Sequence, residues 1–281
     1  MPLVPMNELL ADAVARDYTV VQFNTDCIEI TQSFLRTAEE YAAPIIVGVG
    51  QGAVKDGKIA PIAAMLRDYC ARSKLPVCLH LDHSEDPDQI MQALRAGFTS
   101  IMIDGSARPL AENIEVTNHV LGLCRPLGVS VEAELGRIPG VEDDMVVTEE
   151  QANKVDLAVV EEFVSNVSVD ALAVAVGSAH GIYKAEPKLD FELLAQLVGV
   201  TDTPLVLHGG SGIPDTALRK AFGMGMKKLN VGTELRLGFL RGVHAGVEAG
   251  DSIYACFERG RKIVDGLVLS KLEVSGSAGK A

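Results

Sequence analysis

Histidine and acidic residues gather at the ends of apolar runs in this chain. The run Pro76–Ser84, Pro-Val-Cys-Leu-His-Leu-Asp-His-Ser, ends with Asp82 beside His83. His180 follows the run Asp170–Gly177, and His208 closes the run Pro204–His208. Asn24, Asp104 with Ser106, Glu132, Glu134 and Asn230 stand at equivalent positions in other runs. Histidine is the commonest zinc ligand, and three protein ligands with an open fourth position make a catalytic zinc site. A lone histidine at a strand end is more often a hydrogen-bonded structural residue. Three of the chain's six histidines at such positions, with acids between them, favour a metal site instead. A carboxylate adjoining a ligand, as Asp82 does, is placed to move a proton. His80 alternates into its strand and is expected to be structural or to orient a ligand. His119 and His244 fall in helical stretches and are expected to sit on the surface or in packing.

The elements that must position these groups read as alternating strands and helices. Apolar runs of strand length, bounded by Pro, Gly or polar residues, predict strands buried on both faces. Eight segments read as strands, most of them such runs: Tyr18–Asn24, Pro44–Gly50, Val77–Asp82, Thr99–Asp104, Val129–Leu135, Asp170–Gly177, Pro204–His208 and Lys227–Val231. Helical spacing fills the intervals, with Asp86-Pro87 supplying a cap and a first-turn proline. Further helices are expected over Asn7–Arg16 and Ile253–Leu272. The alternation never breaks and no composition shift divides the chain. A single (β/α)8 TIM barrel over residues 1–274 is therefore expected, with an open sheet of six or seven strands as the alternative. In a parallel barrel the strand C-termini share one face, where active sites lie. The polar stretch from about 136 to 153 is expected to be a mobile loop, and 275–281 a frayed, flexible tail.

Composition limits the partners. The chain has 281 residues, 48% of them hydrophobic, which excludes wholesale disorder. A net charge of −13 argues against nucleic acid and against an anionic membrane surface. Five scattered cysteines without a Cys-x-x-Cys pair fit a reducing cytoplasm, and no apolar run reaches membrane-span length. An anionic small substrate would need local help, and two glycine turns offer it. Gly209-Gly-Ser-Gly212 and Val231-Gly-Thr-Glu234 each precede a predicted helix, after the last two strands. That is the usual barrel position for a phosphate group.

Seven segments taken together resemble one family: HLDHS (80–84), SIMIDGS (100–106), VEAELG (131–136), GVED (140–143), ALAVAVGSAHGIYK (171–184), LVLHGGSG (205–212) and KLNVGTE (228–234). In order and spacing, from about Asn7 to about Val247, they resemble class II, zinc-dependent ketose-bisphosphate aldolases. The resemblance implies His83, His180 and His208 as ligands of a catalytic Zn2+, and Asp82 as the acid/base at the substrate C4 hydroxyl. It implies Asp104 and Glu134 as ligands of an alternative metal position, with a second divalent or a monovalent cation as an option. Asn24, Ser106, Gly181, Lys184, Gly209, Ser211, Asn230 and Thr233 would contact substrate, most of them around dihydroxyacetone phosphate. Glu142 would shuttle a proton at C1 from the polar loop. The implied activity is reversible cleavage of a phosphorylated ketose, fructose 1,6-bisphosphate first, by a homodimer or homotetramer. The chemistry is consistent: breaking a C–C bond beside a carbonyl leaves an enediolate whose charge needs an electrophile.

The chain departs from the family pattern at the distal end of the substrate. Gly50 stands where many members carry Ser or Thr, and the region at Asp251 lacks the Asp-Pro-Arg motif of many fructose-bisphosphate members. Arg259 and Arg261 are the nearby substitutes. Tagatose 1,6-bisphosphate, a singly phosphorylated ketose or a keto-acid remain as alternative substrates. A Schiff-base aldolase would need a lysine inside a barrel strand, for which Lys228 is the candidate. A metal-dependent hydrolase would carry a His-x-His pair on the first strand, absent here. A non-catalytic partner subunit is the non-enzyme alternative, opposed by the retention of the three histidines, Asp82 and both glycine turns.

Overall fold

The computed structural model describes residues 3–142, 145–148, 150–183 and 187–281. The early strands are β1 (Val20–Asn24), β2 (Ile45–Val49), β3 (Val77–Ser84), β4 (Ser100–Ile103) and β5 (Ser130–Leu135). A short antiparallel ribbon follows, β6 (Gly140–Glu142) with β7 (Met145–Val147), then β8 (Ala171–Val174), β9 (Leu205–Leu207) and β10 (Met226–Val231). All but the ribbon pair in parallel and close a barrel in the order β1-β10-β9-β8-β5-β4-β3-β2. Helices lie between successive barrel strands, which makes this the expected (β/α)8 TIM barrel.

Side-chain alternation sorts the strands into an outer and an inner face. Residues such as Phe23, Val47, Leu79, Leu81, Ile101, Val131, Leu172, Leu207 and Val231 join the main apolar core with the surrounding helices. The inner face is apolar only at its lower end. There Val20, Ile46, Cys78, Met102, Ala171, Ala173 and Val206 pack against Met6, Leu9, Leu10 and Ala13 of the helix Met6–Ala15, which plugs the barrel floor. Above this layer the interior is polar, with Gln22, His80, Glu132 and Lys228 all fully buried.

Two features lie outside the expectations, and one expectation is corrected. Position 51 opens a short helix, Gln51–Lys55, which the sequence reading passed over. The polar stretch after β5 carries the β6–β7 ribbon, and Arg137 and Asn153 pair at its base through Arg137 N–H to Asn153 Oδ1 (2.9 Å). The C-terminal tail is docked, not frayed. The last helix runs on to Ser275, and Gly279 and Ala281 donate N–H bonds to Tyr41 O (2.8 Å) and Ala42 O (2.7 Å). Its composition suggested fraying because Gly, Ser and Ala bury little surface; backbone hydrogen bonds hold it instead. Among the described residues no helix is long and apolar enough to cross a membrane.

Candidate active site

Strict alternation would send Asp82 and His83 to opposite faces of β3. The pairing of β3 with β4 shifts register between Leu81 and Ser84, and His83 takes φ +47°, a left-handed conformation unusual for a residue with a Cβ. The irregularity re-aims His83 toward the mouth while Asp82 keeps its inward direction. Both are buried. The His180 backbone is held by Pro139, whose carbonyl accepts its N–H (2.8 Å), and by a bridge to Gly140. Gly140 lies so close that a Cβ there would meet His180 O at 2.1 Å. His208 follows the last residue of β9.

These three elements bring His83, His180 and His208 together, with one ring nitrogen from each lying within 4.8 Å of the others. His208 Nδ1 and His83 Nε2 are 2.9 Å apart. Two facing nitrogens at that distance share either a proton or an ion. Burial lowers the His208 pKa despite its carboxylate neighbours, which favours the neutral imidazole that a metal needs. The donor set therefore fits a borderline divalent ion such as zinc. His83, Asp104 and Glu134 form a second candidate set sharing one histidine, with His83 Nδ1 at 3.0 Å from Asp104 Oδ2 and 3.8 Å from Glu134 Oε2. Ser106 donates to Asp104 Oδ1 from its backbone N–H (3.0 Å) and its hydroxyl (2.7 Å). Burial opposes ionisation of Asp104, but His83 and Ser106 outweigh it and hold the pKa at about 2.

Asp82 is enclosed by amides. Gln22 Nε2 and Asn24 Nδ2 both donate to Asp82 Oδ2 at 2.9 Å, and Gln51 Nε2 donates to the Asp82 carbonyl at 2.9 Å. Gly48 on the adjoining strand leaves room for them, since a Cβ there would sit 2.3 Å from Asn24 Oδ1. Burial alone would raise the Asp82 pKa; His83, His80 and His208 outweigh it and keep the carboxyl well below its usual range. Beneath it runs a buried charge network. His208 Nε2 lies 2.9 Å from Glu132 Oε1, and Lys228 Nζ lies 2.8 Å from Glu132 Oε2. Lys228 also donates to Asn230 Oδ1 (2.8 Å). Glu132, opposed by burial but favoured by Lys228 and His208, titrates at about 2. Lys228, engaged as an ammonium, is thus an ion-pair partner in the barrel floor of the site. His80 sits between, its Nδ1 on Ser100 Oγ at 2.8 Å and its Nε2 3.6 Å from Asp82 Oδ1, in the structural place expected of it.

His180, Gly181, Gly209, Ser211, Asn230, Gly232 and Thr233 line a small cleft on the other side of the histidines. Helix Thr233–Glu248 starts there, so its dipole favours an anion. Tyr183 ties the two loops: its hydroxyl accepts Ala179 N–H (2.8 Å) and donates to Gly209 O (2.9 Å). Lys184 lies outside the described residues. Glu142 ends β6, and its side chain is not among those described. Arg259 and Arg261 pair with Asp251 and Glu258 on and beside the last helix. Gln22, Gln51, Glu132, Tyr183 and Lys228 are the site residues that motif reading undervalued. A signal existed: Gln22/Asn24, His80/Asp82, Glu132/Glu134 and Lys228/Asn230 are polar pairs two residues apart in otherwise apolar strands.

A closed parallel barrel with three histidines and buried acids converging at its C-terminal mouth has the architecture of a barrel enzyme. A family model described as fructose-bisphosphate aldolase class-II matches residues 4–280, and the chain belongs to that family. The YdjI aldolase from Escherichia coli K12 is 32% identical, with a TM-score of 0.88 and 99% of each chain covered. A putative fructose-1,6-biphosphate aldolase from Coccidioides immitis is 27% identical, with a TM-score of 0.89 over 97% of this chain and 96% of that one. Fructose-bisphosphate aldolase from Campylobacter jejuni shares the fold, at 20% identity and a TM-score of 0.84 over 100% of this chain and 97% of that one.

Proposed function

We propose that this class II aldolase is zinc-dependent and cleaves a ketose 1-phosphate to dihydroxyacetone phosphate and an aldehyde, with fructose 1,6-bisphosphate the first substrate to test. The observation that carries the reading is the convergence of His83, His180 and His208 beside buried, ionised Asp82, next to an anion cleft at a helix N-terminus. His83, His180 and His208 would hold the ion, with Asp104 and Glu134 offering a second position around His83. A divalent ion there supplies Lewis acidity to the oxygens beside the breaking bond. The cleft residues Gly181, Gly209, Ser211 and Thr233 hold the phosphate and so fix the carbonyl end of the sugar. Asn24 and Asn230 flank Asp82 and align the hydroxyls that approach it. Asp82, an acceptor at neutral pH, takes the C4 hydroxyl proton as the C3–C4 bond breaks and returns it in condensation. Glu142, one ribbon strand away, is the candidate for proton exchange at the triose carbon. A homodimer or homotetramer in the cytoplasm completes the reading. Its test is a cleavage panel of phosphorylated ketoses, fructose and tagatose bisphosphates included, with coupled detection of dihydroxyacetone phosphate. Release from at least one ketose, abolished by chelator and restored by zinc, is expected; no release from any of them, with zinc supplied, contradicts the proposal.

A further inference from the structure

The two oxygens of Asp82 are held unequally, and the inequality starts on β1. Gln22 and Asn24 stand two residues apart there, so both side chains point to the barrel interior, where both are buried. Gln22 Nε2 donates to Asp82 Oδ2 (2.9 Å) and to Asn24 Oδ1 (2.8 Å). The second bond turns the Asn24 amide so that its Nδ2 also donates to Asp82 Oδ2, at 2.9 Å. Two amide donors thus engage both lone pairs of Oδ2. Oδ1 is met more loosely: among the described residues Asn230 Nδ2 stands 3.4 Å from it and His80 Nε2 3.6 Å.

Gln22 is fully buried and does not reach a substrate itself. Its amide can face only one way, because an oxygen in place of Nε2 would confront two acceptors. In that orientation its Oε1 is buried and, among the described residues, has no hydrogen-bond partner. A buried amide oxygen left unpaired costs stability, and an apolar side chain of the same length would avoid the cost. The neighbouring strand also gives way to this amide. At Gly48 on β2 a Cβ would come within 2.5 Å of Gln22 Nε2 and 2.3 Å of Asn24 Oδ1. An unpaired oxygen on one strand and a missing side chain on the next both serve the hydrogen bonds that end on Asp82.

We infer that Gln22 is a positioning residue: it anchors Asp82 by Oδ2, directly and through Asn24, and leaves Oδ1 to take the proton of the substrate hydroxyl. The inference rests on the aldol cleavage proposed above and adds the residue that sets which carboxylate oxygen reacts. In that step the C4 O–H gives its proton to Oδ1, its electron pair forms the new carbonyl, and the C3–C4 pair stays on the triose as the enediolate. A carboxylate free to turn about its Cβ–Cγ bond would meet the hydroxyl in that geometry less often.

The test separates the proton transfer at Asp82 from the rest of the site. Cleavage needs Asp82, whereas exchange of a C–H proton of dihydroxyacetone phosphate with solvent involves no C4 hydroxyl. Zinc-loaded wild type, Gln22→Met and Gly48→Ala are compared in both reactions. Cleavage is measured as kcat and KM on the best ketose of the panel above, fructose 1,6-bisphosphate first, and exchange by proton NMR in D2O. In Gln22→Met kcat for cleavage should fall roughly tenfold to a hundredfold, the value of a hydrogen bond to a charged group, while KM and exchange change little. Gly48→Ala crowds the same amides from the neighbouring strand and should also lower cleavage relative to exchange; it decides the matter if Gln22→Met does not fold. Cleavage unchanged in Gln22→Met, or cleavage and exchange falling by the same factor, overturns the inference. A wild type that cleaves none of the panel overturns the aldol reading, and this inference with it.

Discussion

Lys228 offers the sharpest test of how the barrel interior supports the site. Its side chain is fully buried, and its ammonium lies 2.8 Å from Glu132 Oε2 and 2.8 Å from Asn230 Oδ1. At that separation the ion pair attracts by about 6 kcal/mol at an effective dielectric near 20, before desolvation is subtracted. Replacing Lys228 by Met leaves the Glu132 carboxylate buried without its cation, and breaking such a pair costs about 3–5 kcal/mol. Glu132 then relieves the cost by taking up a proton. A protonated Glu132 donates to His208 Nε2 instead of accepting from it, which moves the His208 proton to Nδ1, the nitrogen facing His83. Metal affinity should fall about 10- to 100-fold, as for other losses of a ligand-orienting partner. Glu132→Gln alone strands the ammonium and costs a similar amount. The double variant Lys228→Met/Glu132→Gln keeps an amide oxygen for His208 and strands no charge, so it should be more stable than either single variant. Urea unfolding of the four chelator-treated proteins gives the coupling energy, and zinc titration gives the affinities. A coupling below about 0.5 kcal/mol, with the two single effects adding, would refute the account of the network.

Other consequences are more local. Asp82→Ala should lower cleavage about 10²- to 10⁴-fold while zinc stays bound, because Asp82 is not among the convergent ligands; loss of zinc would make it a ligand-orienting residue instead. Gly140→Ala forces a Cβ to within 2.1 Å of His180 O at φ +117°, so zinc binding and activity should drop together, measured by metal content after dialysis. Burial raises Cys70 and Cys124 to about 11 and Cys78 to about 12, from an ordinary thiol value of 9.0. Those thiols should resist alkylation in the native protein at pH 8 and react once it is unfolded, as mass spectrometry will show. Their folded pKa values lie above the unfolded one, so the stability they contribute is complete below about pH 9 and is lost as pH rises toward about 12. Urea midpoints measured from pH 8 upward should fall accordingly.

The sequence revealed the barrel because β2, β8 and β9 are unbroken apolar runs bounded by polar residues, Pro or Gly, and because helix signals such as Asp86-Pro87 fall where helices start. The Asp86 cap is made, its carboxylate accepting Asp88 N–H at 2.8 Å. The three histidines could be found since each stands at or a few residues beyond a strand end, positions that topology brings to one face. What could not be read was whatever depended on a local break in the pattern. Neighbouring Asp82 and His83 serve one site only through the β3–β4 register shift and the left-handed His83 backbone. The partnership of Glu132 with Lys228 joins strands almost one hundred residues apart, and nothing in either strand alone names the other. The docked tail was missed for a related reason: its hold is backbone hydrogen bonding, which composition does not record.

The most direct measurement strips the purified enzyme of metal with chelator, then titrates zinc back while dihydroxyacetone phosphate release is followed. The account predicts no release from metal-free protein and recovery that saturates at one zinc per chain, with the His83→Ala, His180→Ala and His208→Ala variants each failing to recover. Full release from protein that holds no metal, with borohydride trapping a substrate adduct on Lys228, would contradict it.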